Sequence, residues 1–356
     1  MAAMLEPPAP LSFGQRWGRA MFATKGSSLT TALLLMGLVW VIYKAFTWGV
    51  WNATTAVDTE VCRQSAGACW GAVRYNHRMI LLGRYPVGEG WRPVLGMALL
   101  LGSVVLAATP RFFGMKGVWT VVGALVVFVA LMAGGFAGLT RVESDLWGGL
   151  PLTLLLTTVA VIASVPLGIA LALGRRSELP ILRWVCTGYI ELVRGVPLIT
   201  VLFFGAFVLP LVLPPSWRVD AMIRVAICLV AFSAAYLAEV YRGGLQAITK
   251  GQGEAAHALS LSRWQALKLV ILPQAARLTI PPATSHFIGV LKDTSLVAIV
   301  NIYDLTGSLK MALTNPDWRP YFVEAYLVVS VIYLALGLSI VRYGRFLENR
   351  YALDKR

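Results

Sequence analysis

The sequence predicts an all-α polytopic membrane protein that crosses a bilayer about eight times. Composition is the first observation behind this. The chain has 356 residues, is 58% hydrophobic and 13% charged, and has a mean hydropathy of +0.71. Soluble domains carry about 25% charged residues, so this chain lacks the polar surface to cover a globule. The second observation is a series of apolar runs long enough to cross a hydrocarbon core of about 30 Å. The third is that the basic residues behind the net charge of +14 gather between those runs.

The apolar runs cover residues 29–46, 94–108, 118–139, 150–173, 185–209, 221–241, 280–300 and 323–343. The first lacks a convincing cleavage site and reads as a retained helix rather than a signal peptide. The second is short and the seventh is interrupted. Gly134, Gly135 and Gly138 fall in the third run, where small residues mark close helix packing.

An even number of spans places both termini on one side. Lys and Arg in the segments sharing that side outnumber those opposite by about two to one, which assigns both termini to the cytoplasm. The contributors include Arg16, Arg19 and Lys25 before the first run and Arg175, Arg176 and Arg183 after the fourth. Arg342, Arg345, Arg350, Lys355 and Arg356 add to them at the end. On this reading, residues 1–27 are a cytoplasmic N-terminus and residues 28–139 a three-span region with a periplasmic loop at 49–91. Residues 149–350 form a five-span core with a cytoplasmic loop at 242–277.

Several function classes are excluded. No basic stripe interleaved with aromatics supports nucleic-acid binding. His77, His257 and His286 are far apart and no CxxC occurs, so no metal site is expected. No GxxxxGK[ST] is present to cradle ATP phosphates, so no bound cofactor and no enzymatic activity are expected of this chain. Cys186 and Cys228 lie in apolar runs and read as packing residues. Cys62 and Cys69 flank a polar loop and are a candidate disulfide if that loop faces an oxidising compartment.

The loop between Arg242 and Arg277 is the most informative stretch. Two helix-favouring segments are separated by Ser260-Leu261-Ser262, a good N-cap setting for the second. The first carries Glu254, Ala255, Ala256 and Ala258, a small-residue face. In the second, Trp264, Leu267, Val270 and Ile271 recur at helical spacing, and Pro273 is expected to end it. Periodicity alone leaves two readings open, a helix lying in lipid headgroups or one docking on a protein. The small face favours a protein, because interfacial helices use bulky apolar anchors.

The loop resembles the EAA motif of permease subunits in bacterial ABC importers. Glu254-Ala255-Ala256 is followed at the motif's spacing by Ser260, in place of glycine, and then by Val270, Leu272 and Pro273. Gly149-Leu150-Pro151-Leu152-Thr153-Leu154, Glu191 to Leu198, Ala238 to Gly244, and Leu291 to Leu296 extend the resemblance to polar amino-acid permeases of the histidine/glutamate type. The extra N-terminal spans and the loop at 214–220 are similar to the M subunits of general L-amino acid permeases.

The resemblance implies a five-helix ABC importer permease core preceded by three extra spans. It implies an ATPase dimer docked on Glu254, Ala255, Ala256, Ser260, Leu272 and Pro273, with ATP hydrolysed by that partner. It further implies a second homologous permease as a heterodimer partner, a periplasmic amino-acid-binding protein, and a bacterial inner-membrane location. The substrate pathway would run by Lys292, Asp293, Thr294 and Ser295, since a Lys–Asp pair in an apolar span is costly unless paired or hydrated. Glu191 with Arg194, and Glu239 with Arg242, have the spacing of local ion pairs and are candidate gate residues. The competing readings are an ion-coupled secondary amino-acid transporter, which would need internal repeats and midplane acids, and a membrane-anchored scaffold.

Overall fold

The structure is a computed structural model that describes residue 18, residues 21–214 and residues 219–351. Arg16, Arg19, Lys355, Arg356 and part of the 214–220 loop lie outside the described residues. Among the described residues, seven helical runs are long and apolar enough to cross a membrane, or eight if one bent pair counts as a single span. The chain separates into two compact units, with the boundary between Arg74 and Tyr75. The boundary expected between residues 139 and 149 therefore falls inside the second unit.

The first unit begins with α1 (Lys25–Phe46), which Thr24 and Ser27 start with a capping box. A wide turn at Thr47–Trp51 extends it. None of the residues of α1 is buried, the exposure expected of an apolar helix whose solvent is lipid. After it, Asp58 caps α2 (Thr59–Gln64), Thr54 bridges to Cys69, and Cys62 and Cys69 form a disulfide. The indole of Trp70 donates to the Gly49 carbonyl at 2.8 Å.

In the second unit, α3 (Gly71–Leu82), which straddles the boundary, leads to the antiparallel pair α4 (Trp91–Ala107) and α5 (Met115–Ala133). Phe128 of α5 lies against Gly96 of α4, where any Cβ would collide with the ring. Gly134, Gly135 and Gly138 do not pack helices as expected. Gly134, at φ +65°, ends α5 at Ala133, and Gly135 and Gly138, at +82° and +79°, turn the segment that follows, because glycine tolerates that conformation and other residues strain in it. The segment that follows is held by Arg92, which is fully buried. It donates to the Thr140 carbonyl at 2.7 Å and lies 2.8 Å from Glu89, although its Nε is turned out of hydrogen-bond geometry. Leu100, Phe128 and Met132 belong to the same buried cluster as Leu152, Leu155 and Leu229, so this hairpin shares the core of the later spans.

The remaining spans are α6 (Gly149–Arg175), the bent pair α7 (Pro180–Gly195) and α8 (Leu198–Val212), α9 (Ala221–Gln246), α12 (Leu272–Asp293) and α14 (Phe322–Tyr351). Two short helices, α10 (Lys250–Ala258) and α11 (Arg263–Ala266), connect α9 to α12, and α13 (Leu305–Ala312) precedes α14. The run expected as one span at 185–209 is bent by 105° between α7 and α8. Pro197 drives Val196 into an extended conformation, φ −111° and ψ 136°, and both helices stop there. A wide turn at Phe204–Val208 then leaves carbonyls unpaired, and Arg224 of α9 donates to those of Gly205 and Ala206. Pro166 in α6 and Pro281 and Pro282 in α12 sit inside unbroken helices, as neighbouring helices permit in a membrane bundle.

Candidate coupling loop and transmembrane polar network

The loop helix α10 ends on a left-handed residue. Ser260 has φ +58°, the conformation for which the motif supplies glycine. Its N–H donates to the His257 carbonyl at 2.9 Å, and the N–H of Leu261 reaches back to Ala256 at 3.1 Å. These two bonds form a Schellman ending and satisfy carbonyls that a helix terminus otherwise leaves open. Ser262 then starts the next helix with a capping box. Its hydroxyl accepts from the Gln265 N–H, and the Gln265 side chain accepts from the Ser262 N–H.

Pro273 does not end the second loop helix. The helical run continues from Arg263 to Val300, through a wide turn at Leu267–Ile271. That turn shifts the hydrogen-bond ladder just before Pro273, so its missing N–H breaks nothing. Leu272 and Pro273 therefore form a continuous mechanical link from loop to span. The side chains of Gln252 and Gln274 tie α10 to the base of α12 at 2.9 Å.

The two alanines of the motif face opposite ways. Ala256 is 2% exposed, packed inward, whereas Glu254, Ala255 and Ala258 are exposed. Glu254 makes no side-chain hydrogen bond or ion pair among the described residues. The free surface of α10 is thus small and carries one carboxylate.

Beyond the loop, the structure joins the expected gate residues differently from their spacing. Glu239 and Arg242 pair at 2.7 Å as expected. Glu191 and Arg194 do not pair with each other. Arg175, at the end of α6, binds Glu239 at 2.7 Å and Glu191 at 2.8 Å, while Arg194 reaches Glu239 at 3.5 Å and lies over the Tyr236 ring. Glu239, 15% exposed, therefore receives three arginines from α6, α7 and α9. Arg175 is the residue that sequence spacing missed, because its partners lie on other helices.

A second polar chain crosses the bundle. Ser233 of α9 bonds Ser164 of α6 at 3.0 Å and His286 of α12 at 2.9 Å, and His286 stacks on Tyr236. Both serines are buried. Only a search for isolated polar residues at matching depth in different spans would have found this trio.

Lys292 and Ser295 line a cavity of about 570 Å³ between α12 and α14, with the hydroxyls of Thr306, Tyr326, Ser330 and Tyr333. Asp293 and Thr294 do not line it. Asp293 is half-buried and makes no ion pair among the described residues, with Lys292 or any other group. Thr294 is buried and donates to the Leu291 carbonyl. A larger cavity of about 940 Å³ lies between α5, α6 and α9. Aliphatic side chains line it, and its charged groups are Arg141, Glu143 and Asp220 near the ends of elements. The smaller cavity has the more specific chemistry.

The far end of α12 is clipped to the start of α6. Asp304 caps α13 through the Gly307 N–H and accepts from the Tyr333 hydroxyl at 2.8 Å. Leu305 N–H donates to Thr153, and Gly149 N–H is shared by the Tyr303 carbonyl and the Ser308 hydroxyl. Burial holds the Asp304 carboxyl above the ordinary carboxylate range, against the lowering effect of these hydrogen bonds.

Exposed apolar spans around polar chains, with a built helical loop at one end, define a multi-pass membrane protein. Residues 164–353 match the family described as binding-protein-dependent transport system inner membrane component, and the chain belongs to it. It is 39% identical to the inner membrane amino-acid ABC transporter permease protein YhdY of Escherichia coli, over 97% of this chain and 96% of that protein. It is 34% identical to the glutamate/glutamine/aspartate/asparagine transport system permease protein BztC of Rhodobacter capsulatus, over 99% and 98%. Among solved structures, an amino acid ABC transporter crystallised with histidines matches with a TM-score of 0.52 and 31% identity. That match covers 57% of this chain and 92% of the other.

Proposed function

We propose that this chain is the permease subunit of an ATP-driven importer that carries L-amino acids from periplasm to cytoplasm. The observation that carries the reading is the loop: α10 offers a small exposed face with one free carboxylate, and the second loop helix runs without a break from Arg263 into the span that carries Lys292. The names of the full-length relatives support amino acids as the substrate class. A partner ATPase docks on Glu254, Ala255 and Ala258, while Ala256, Ser260, Leu272 and Pro273 hold the loop in shape and pass its movement to α12. A second permease completes the pore, a periplasmic binding protein delivers substrate, and both termini face the cytoplasm.

Lys292 meets the substrate carboxylate in the cavity it lines, with the surrounding hydroxyls supplying further hydrogen bonds. Asp293, outside that cavity, is left with no contact to substrate in this arrangement. The Glu239 arginine cluster closes the pathway at the loop end.

Reconstitution of the complete complex in proteoliposomes tests the reading. Uptake of labelled amino acids should require ATP on the loop side and the binding protein on the other, and competition by single amino acids should define the substrate set. Uptake driven by an ion gradient without ATP would establish secondary transport instead.

A further inference from the structure

A cavity of about 410 Å³ lies between the end of α6 and the two loop helices. Leu173, Leu267 and Ile271 are among its apolar lining, and Arg176, His257 and Arg263 are its basic lining. From α10 it takes Gly253 and His257 but neither Glu254 nor Ala255, so a ligand here leaves those two residues of the proposed ATPase surface free.

Its surroundings have the character of a bilayer interface. Trp264, on its wall, is 64% exposed, and the adjoining start of α7 exposes Ile181 and Trp184 at 81% and 82%. Exposed tryptophans beside basic residues mark the headgroup level of a membrane protein. Basic pockets between helix ends at that level receive anionic headgroups. One acid competes: Glu178 pairs with Arg263 at 2.6 Å, but both side chains are more than 80% exposed, and such a surface pair contributes little.

We infer that this cavity binds the phosphate of an anionic phospholipid, held by Arg176, His257 and Arg263, with the first part of an acyl chain against Leu173, Leu267 and Ile271. The bound lipid bridges a span end to the loop. A soluble phosphate would share the cationic contacts but would leave the apolar wall unused, which favours the lipid.

Native mass spectrometry of the full-length chain tests this, after release from nanodiscs of phosphatidylcholine with a minor fraction of phosphatidylglycerol. The wild type should retain phosphatidylglycerol several-fold above its share of the bilayer. Arg176→Gln with Arg263→Gln should lose the enrichment, and the paired Lys substitutions should keep it. Glu178→Gln, which frees Arg263 without touching the cavity wall, should keep it. Equal enrichment in the wild type and the Gln pair, or loss of enrichment with Glu178→Gln, overturns the site. Displacement of the lipid by inorganic phosphate overturns the lipid as its ligand. No step of this test needs the ATPase, so its failure is separable from failure of the transport reading.

Discussion

Arg175 of α6 places one guanidinium nitrogen 2.7 Å from the Glu239 carboxylate of α9 and another 2.8 Å from Glu191 of α7. A single side chain thereby ties together three helices that sequence spacing would have paired only locally. Within a turn of these residues on the same three helices, Ala172, Ile190 and Ala238 form a small buried cluster.

Replacing Glu239 with Gln should therefore destabilise more than removing a surface pair would. It leaves the arginines without their common acceptor. Removing one member of a buried pair costs about 3–5 kcal/mol, and the 22–35% exposure of the arginines reduces that here. A clear drop in melting temperature in detergent is expected, larger than for Glu191→Gln. Equal melting temperatures for the two variants would refute the hub role of Glu239.

Ser260 makes the opposite prediction. A non-glycine residue in the left-handed region is strained by about 1–2 kcal/mol. Ser260→Gly should slow amide exchange at Leu261, whose N–H closes the turn. Ser260→Val should speed it, because a β-branched side chain fits that conformation worst. Unchanged exchange in both would show that the turn does not depend on this residue.

The Asp304 clip should respond to pH. Its raised pKa contributes stability that is full below the unfolded-state value and is lost as pH rises through the folded-state value. From about pH 4 upward, the wild type should lose stability relative to Asp304→Asn. Melting curves that differ by a constant offset over that window would contradict this.

The disulfide should act locally. Cys62 and Cys69 are separated by 7 positions, and closing a loop that short stabilises by about 2–3 kcal/mol in the chain-entropy account. Cys62→Ser should raise exchange in the segment around Thr54 and Trp70 while transport persists. Loss of transport would give the bridge a larger role.

Lys292→Met should abolish uptake and leave assembly intact, whereas Lys292→Arg should keep part of it. Uptake by the Met variant at the wild-type rate would remove Lys292 from the pathway.

The spans were largely legible because hydropathy is a sum over neighbours in the chain. The loop turn was legible for the same reason, since Ser260 and Ser262 act on their own backbone. Where an expected helix end or span was misplaced, the competing effect was also local. Glycine at positive φ ended α5 at Ala133, Pro197 bent the fifth span, and a wide turn let the helix continue past Pro273. The Ser164–Ser233–His286 chain and the Asp304–Tyr333 clip were not legible, because each joins residues whose separation in the chain says nothing of their distance.

The sequence by itself determined the membrane class, the approximate spans and the loop with its capping residues, all of which follow from hydrophobicity and short-range backbone chemistry. Only the tertiary structure decided which charges meet, which alanine of the loop faces outward and which members of Lys292-Asp293-Thr294-Ser295 line a cavity. The physical reason is that a charge in a low-dielectric bundle takes whichever partner helix packing brings within reach, and that packing is a property of the whole chain.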